Sequence, residues 1–386
     1  MSGEGTKNRS SGGRIVAGMM FLLVVAAAVV FGRDSNLVSL SPRLSGDEVV
    51  TGIIGSEKRS FFEDPEVREI LSEHNIEVQF TTAGSRGIAT DPRLAEVDFA
   101  FPSSAPAAQK IASEHDNQGV STPFYSPMAV ATFTPIMQLL EPSGVARRSG
   151  DHWVIDMAKY VEMTGQGTRW RDLGDSYPSP RAVQIATTDI RTSNSAAMYL
   201  AILSWVVGDA SIAQTSDVPA LVPEVAPLFT GQGYTESSSA GPFGDYLSQG
   251  VGSKPMVMVY EAQFLEQQMA QNSRINGDMT LAYLSPTTLS NHSVVAFSDG
   301  GSEVARLLRE DPELQRLAAA HGFRTNDPAV FGATLQEHGV AEPPPLYDVV
   351  DTPSYEVLEE LIQRVGDQYT SPDPPPDLEQ DVQETP

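Results

Sequence analysis

Apolar and polar positions alternate along the chain in short runs that end in small polar loops. VVTGII, residues 49–54, reads as a strand that stops at Gly55-Ser56-Glu57-Lys58. Behind it, FFEDPEVREILSEHN carries Val67, Ile70 and Leu71 at helical spacing. IEVQFTT sets Ile76, Val78 and Phe80 on one face of a second strand, which ends at Ala83-Gly84-Ser85-Arg86. VDFAF, residues 97–101, is a third and runs into Pro102-Ser103-Ser104. Strands that each finish in a polar loop, with a helix between the first two, predict a parallel α/β sheet, and such sheets bind ligands beyond the carboxyl ends of their strands.

Further along, PFYS and PMAVATF, residues 127–133, read as a more exposed connection, 154–161 as helical, and WRDL at 170–173 as a turn. AVQIATT, residues 182–188, predicts a strand, and residues 196–207 a strongly apolar helix. Between them lies Thr192-Ser193-Asn194-Ser195. One of these residues is enough to cap the helix by accepting from a backbone N–H of its first turn. The surplus suits either an ordinary polar loop or a set of donors for an anion at a helix start. After a polar, Gly- and Ser-rich region at 230–253, PMVMVY at 255–260 is a nearly continuous apolar strand ending at Glu261, with a helix over 262–269. LAYLSP and SVVAF, residues 293–297, are two more strands, and EVARLLREDPELQRLAAAHGF reads as paired helices broken near Pro312.

The chain ends differ from this body. Lys7, Arg9 and Arg14 precede IVAGMMFLLVVAAAVVF, residues 15–31. A basic flank before an uninterrupted apolar run predicts a signal anchor over 15–32, with residues 1–14 cytoplasmic, a linker at 33–47 and the body outside the cell membrane. Cleavage after Ala26-Ala27-Ala28, giving a secreted protein, is the weaker alternative, because Val29-Val30-Phe31 prolong the apolar run. Residues 341–386 read as a Pro-rich acidic extension, and its end, SPDPPPDLEQDVQETP, has nothing with which to build a core, so disorder is expected there.

Composition narrows the chemistry. With 386 residues, 40% of them hydrophobic, the chain has material for two domains. Lys and Arg total 25 against 50 Asp and Glu, a net charge of -25, which argues against nucleic acid as a partner. The absence of cysteine removes thiol nucleophiles, thiolate metal sites, disulfides and a lipid-bearing Cys together. The six histidines show no HExxH spacing, there is no GxSxG or GxxxxGK[ST], and Gly52 and Gly55 do not form a dinucleotide fingerprint. No enzyme activity, catalytic residue, cofactor or metal is expected, and His292 reads as a loop or strand-start residue.

The ordered series VVTGIIGSEKRSFF, IEVQFTTAGSRGIA, VDFAFPSSAPAAQKI, PFYSPMAVATF, TRWRDLG, VQIATTDIRTSNSAAMYLAIL, KPMVMVYEAQFLE and HSVVAFSDGGSEVARLLREDPELQRLAAAHGFR resembles the bacterial extracellular solute-binding proteins of the type II periplasmic-binding fold, the molybdate- and sulfate-like group. The resemblance runs from about residue 48 to about residue 330. It implies two α/β lobes, 48–131 with 285–340 and 132–284, joined by a hinge around an interlobe cleft. It also implies that Ser56, Ser85, Ser103, Ser104, Thr192, Ser193, Asn194 and Tyr260 touch a ligand. Arg86 and Arg191 flank two of these loops, as a bidentate clamp on a carboxylate or phosphate or as ion-pair partners in so acidic a chain. Glu57, Lys58 and Glu261 depart from the pattern by placing charge beside the cleft. The function implied is membrane-tethered capture of a small solute, an oxyanion or organic anion, for an ABC-type transporter or another membrane protein. The polar stretch at 230–253, the acidic tail and these charged departures favour an alternative, a ligand-independent extracytoplasmic interaction or structural module on the same fold.

Overall fold

The apolar runs become the strands of one mixed sheet. The computed structural model describes residues 48–232, 236, 238–346 and 348–369, so the anchor expected at 15–32, its flanks 1–14 and 33–47, and the tail 370–386 lie outside the described residues. In chain order the strands are β1 (Glu48–Ile54), β2 (Ile76–Thr82), β3 (Phe99–Phe101), β4 (Gly119–Phe133) and β5 (Ala146–Ser149). They continue with β6 (His152–Asp156), β7 (Met256–Tyr260), β8 (Met279–Ser285), β9 (Leu289–Ala296) and β10 (Arg324–Thr325). The sheet order is β2-β1-β3-β9-β4-β8-β6-β5, with β7 and β10 also paired to β4. β1 pairs in parallel with β2 and β3, as their loop-terminated pattern predicts, while β9 returns antiparallel to β3.

β4 joins the two halves of the sheet. Its first part pairs with β9 and β10, and its last part with β7 and β8. The chain crosses again at residues 286–288, between β8 and β9. The exposed connection expected at PFYS and PMAVATF is therefore corrected: Phe124 and Met128 through Ala131 are fully buried. Pro123 and Pro127 remove two N–H donors and make the run look like an edge, yet the strand is paired on both sides. Each half has its own core. Val50, Phe62, Phe99, Phe101, Phe124 and Leu308 build the first; Val130, Trp153, Tyr160, Leu200 and Val257 belong to the second.

Local chemistry explains the helices that frame the junction. Asp64 caps Pro65–Glu73 by accepting from Glu66 N–H at 2.7 Å, and Val67 and Leu71 are buried on its inner face. The helix Asn194–Val207 is apolar all round, and its residues 194–204 are buried, as in a helix enclosed by other elements. Three further expectations need correction. AVQIATT is not a strand: it makes two isolated bridges, Ala182 to Arg169 and Ala186 to Val257, while Ile185 N–H bonds Tyr160 Oη at 2.9 Å and Thr187 N–H bonds Gln232 Oε1 at 2.7 Å. Side chains there take the bonds a ladder would take. Residues 154–161 divide between β6 and the helix Met157–Gly165, and WRDL forms the short helix Trp170–Leu173.

The helix Glu261–Met269 follows a strand of the second half and packs on both, with Phe264 in the second core. Ala262 joins the first core, and Leu265 and Met269 meet Ala319, Phe331 and Leu335. Of the extension after residue 340, the described residues 348–369 dock on the second half. Thr287 N–H bonds Asp348 O and Val350 N–H bonds Thr287 O, both at 2.9 Å, and the helix Tyr355–Gly366 follows, with Ser354 as its cap. Val357, Leu358, Leu361, Ile362 and Val365 of this helix sit in the second core, a gross gain of roughly 1.5–3 kcal/mol per side chain. Among the described residues no helix is long and apolar enough to cross a membrane.

Candidate functional site at the junction of the two halves

The polar ends of β1 and β3 are tied together first. Gly55 N–H donates to Phe101 O at 3.1 Å, and Lys58 N–H closes the turn Ser56–Lys58 onto Gly55 O at 3.1 Å. That places Glu57 and Lys58 against Ser103. Lys58 Nζ donates to Glu57 Oε1 at 2.5 Å, to Ser103 Oγ at 2.7 Å and to His292 Nδ1 at 3.1 Å, so its three donors are all used. Ser103 Oγ in turn donates to Glu57 Oε1. The ammonium also lies 4.7 Å from the centre of the Phe101 ring.

The second half reaches the same place through two residues. Asn194 Nδ2 donates to Ser103 O at 3.2 Å and to Tyr260 Oη at 3.0 Å. Ser290 Oγ donates to Ser103 O at 2.6 Å, and Ser103 N–H to Ser85 Oγ at 2.9 Å. β4 sets the register, aligning Phe124 with His292 and Met128 with Tyr260. His292 is held among the rings of Phe124, Phe323 and Tyr260, 4.9–6.3 Å away.

Burial governs the charges. Lys58 is 0% exposed; burial lowers its pKa, and Glu57 opposes that shift. Burial alone would raise the Glu57 carboxyl, but the Lys58 ammonium and the hydrogen bonds from Lys58 and Ser103 hold it at about 2. Burial and then the Lys58 charge push His292 well below 6.5, so the ring is neutral, with Nδ1 accepting and the proton on Nε2. His292 Nε2 is buried without a hydrogen-bond partner. Tyr260 is raised by burial and by the Glu57 carboxylate, which keeps its hydroxyl neutral. The result is one cation and one anion, ringed by neutral donors from both halves.

No protein-family model matches the chain, and no curated protein matches it in sequence. Solved structures do share its fold. The substrate-binding protein of an ABC transporter from Agrobacterium tumefaciens is 12% identical over 84% of this chain and 95% of its own, with a TM-score of 0.55. A periplasmic thiamin binding protein is 14% identical over 85% of this chain and 99% of its own, with a TM-score of 0.53. The chain has the type II periplasmic-binding fold.

Within this type II periplasmic-binding fold, the structure brings Ser85, Ser103, Asn194 and Tyr260 together at the junction. The other expected residues lie around them. Ser56 is half-buried at the start of its turn, and Ser104 caps Ala105–Glu114 through Ala107 N–H at 3.5 Å. Thr192 Oγ1 donates to Asp189 O at 3.5 Å. Ser193 occupies the cap position of its helix without a side-chain cap bond, its Oγ lying 3.0 Å from Ser195 Oγ. Gly84 approaches from the first half so closely that a Cβ there would stand 3.1 Å from Thr192 O.

The two arginines hold carboxylates of the chain itself. Arg86 makes a bidentate pair with Glu359, Nη2 to Oε2 at 2.6 Å and Nε to Oε1, and its Nη1 donates to Ile190 O at 3.4 Å and to Arg191 O. Arg191 pairs with Asp189, Nε to Oδ1 at 2.9 Å and Nη2 to Oδ2 at 2.6 Å. Glu261 receives Arg324 at 2.6 and 2.9 Å and the Tyr283 hydroxyl at 2.8 Å. The reading of His292 as a plain loop or strand-start residue missed its place, and Glu57 and Lys58 were legible only as departures. No local pattern marks His292, whose hydrogen-bond partner Lys58 is 234 residues away. Among the described residues no group of three or more His, Asp or Glu could hold a metal ion.

Proposed function

We propose that this protein is an extracytoplasmic solute-binding protein that closes two lobes, 48–131 with 285–340 and 132–284, on a small anion. In this reading it presents the anion to an ABC-type transporter or another membrane protein, held at the membrane by residues 15–32. One observation carries it: Lys58 and Ser103 of the first half donate to a single carboxylate, that of Glu57, and Asn194 of the second half is bonded to the same Ser103 and to Tyr260 beside it. Lys58, Ser103, Asn194 and Tyr260 would be the contacts, with Ser85 and Ser290 orienting Ser103. The work is binding, without cofactor or bond breaking. Preformed donors supply the affinity, and closure makes the occupied shape recognisable to a partner.

The direct measurement is thermal unfolding and calorimetry of the purified full chain with formate, acetate, nitrate, sulfate and molybdate. Saturable stabilisation is expected, about 2.7 kcal/mol when the anion stands at 100 times its Kd. A folded chain that ignores every anion sinks this reading. A second reading then takes its place, favoured by the presence of Glu57 on those donors: a ligand-independent interaction module whose junction is filled by its own side chains.

A further inference from the structure

We propose that Glu57 is a built-in competitor for the solute and that Glu57 and Lys58 together restrict the site to singly charged anions. The inference rests on the solute-binding reading above. It begins from the donors. Two of the three Lys58 N–H groups go to Ser103 and His292 and the third to Glu57, and the Ser103 hydroxyl also goes to Glu57. An arriving anion can use those groups only after the Glu57 carboxylate has left them.

The structure lets Glu57 leave and keeps Lys58 in place. The Glu57 side chain is 13% exposed, whereas that of Lys58 is 0% exposed. Rotation of one side chain takes the carboxylate to solvent, and the turn Ser56–Lys58 keeps its backbone bonds. Gly55 makes room for the inward position, because a Cβ there would collide with the Glu57 carboxylate.

Charge then selects the solute. Once Glu57 has turned out, Lys58 is the single full charge left in the cluster. His292 is neutral, and the nearby guanidiniums of Arg86, Arg191 and Arg324 are paired with Glu359, Asp189 and Glu261. A monoanion restores a neutral buried pair. A dianion leaves one buried negative charge without a counter-charge, which a low-dielectric interior penalises heavily. Because Glu57 is tethered at the site, the apparent affinity for any solute falls by the fraction of time that it occupies the donors.

The test is calorimetric titration of the full-length wild type, Glu57→Gln and Glu57→Ala with formate, acetate and nitrate, and with sulfate and molybdate, at constant ionic strength. Wild type should prefer the monoanions, and both variants should bind them tighter, on the order of 10–100-fold. Neither variant should gain sulfate binding to the same extent. Equal monoanion affinity in all three proteins overturns the competitor role, and tighter binding of sulfate than of monoanions by wild type overturns the charge restriction. The wild-type ranking decides that second point even if Glu57→Ala fails to fold. Absence of binding by wild type and by folded Glu57→Gln overturns the solute-binding reading itself, and this inference with it.

Discussion

Two carboxylate–cation pairs lie at the meeting of the halves, and they are built in opposite ways. Glu57 and Lys58 are sequence neighbours in a closed cluster where every ammonium donor is used. Arg86 and Glu359 are 273 residues apart, with 23% and 27% of their side chains exposed, and one of them rides on the helix Tyr355–Gly366. The buried pair must be complete, because an unmatched charge there has no water to turn to. The outer pair is screened, and the apolar face of its helix does most of the holding. The same chemistry therefore specifies geometry in one place and trims an already anchored contact in the other.

Removing the buried counter-charge should have the largest effect. Glu57→Ala leaves Lys58 enclosed without an anion, and a loss of about 3–5 kcal/mol is expected from urea unfolding in buffer of low anion content. Next in size is the anchor of the outer helix. Leu361 is fully buried in the second core, so Leu361→Ala should cost about 2–5 kcal/mol and leave the Glu57 cluster intact. Loss of the core without loss of the outer helix, followed by hydrogen exchange, would break the comparison.

Acid should separate the two pairs next. Glu57 has a folded pKa of about 2 against an ordinary 4.5, so the unfolded chain binds its proton first as pH falls. Its stabilisation is complete above pH 4.5 and is lost as pH falls from 4.5 towards 2. Unfolding midpoints across that window should be less pH-dependent in Glu57→Gln than in wild type. The smallest effect belongs to Glu359→Gln, about 1 kcal/mol or less and shrinking with added salt. A salt-independent loss of several kcal/mol would show that the outer pair, too, is effectively buried.

Much of the first half was legible because its signals are local. β1, β2 and β3 show as apolar runs that stop at Gly-Ser or Pro-Ser loops, and those stops placed Ser85 and Ser103 at the junction. The helix Asn194–Val207 was plain from its long apolar run, and the pair Asp299–Glu310 and Pro312–Ala320 from periodicity and the break at Pro312. β4 was not. Its prolines suggest exposure, and only pairing on both sides explains why its residues are buried. AVQIATT has the composition of a strand, but side chains of Tyr160 and Gln232 satisfy the backbone groups that a neighbouring strand would otherwise have taken. The Arg86 clamp was open between a ligand and the chain's own acids, and the glutamate that pairs with it lies on a helix 273 residues away, out of reach of any local pattern.

By itself the sequence determined most of the element types in the first half, the polar loops that follow its strands, the acidic balance of charge and the absence of thiol chemistry. These follow from periodicity and composition, which act over a few residues at a time. Tertiary structure alone decided that Lys58 is enclosed, that His292 is its neutral acceptor and that Glu57 occupies the Lys58 and Ser103 donors. Those outcomes depend on distances between segments far apart in the chain and on the dielectric they create together, and neither quantity is written in any local pattern.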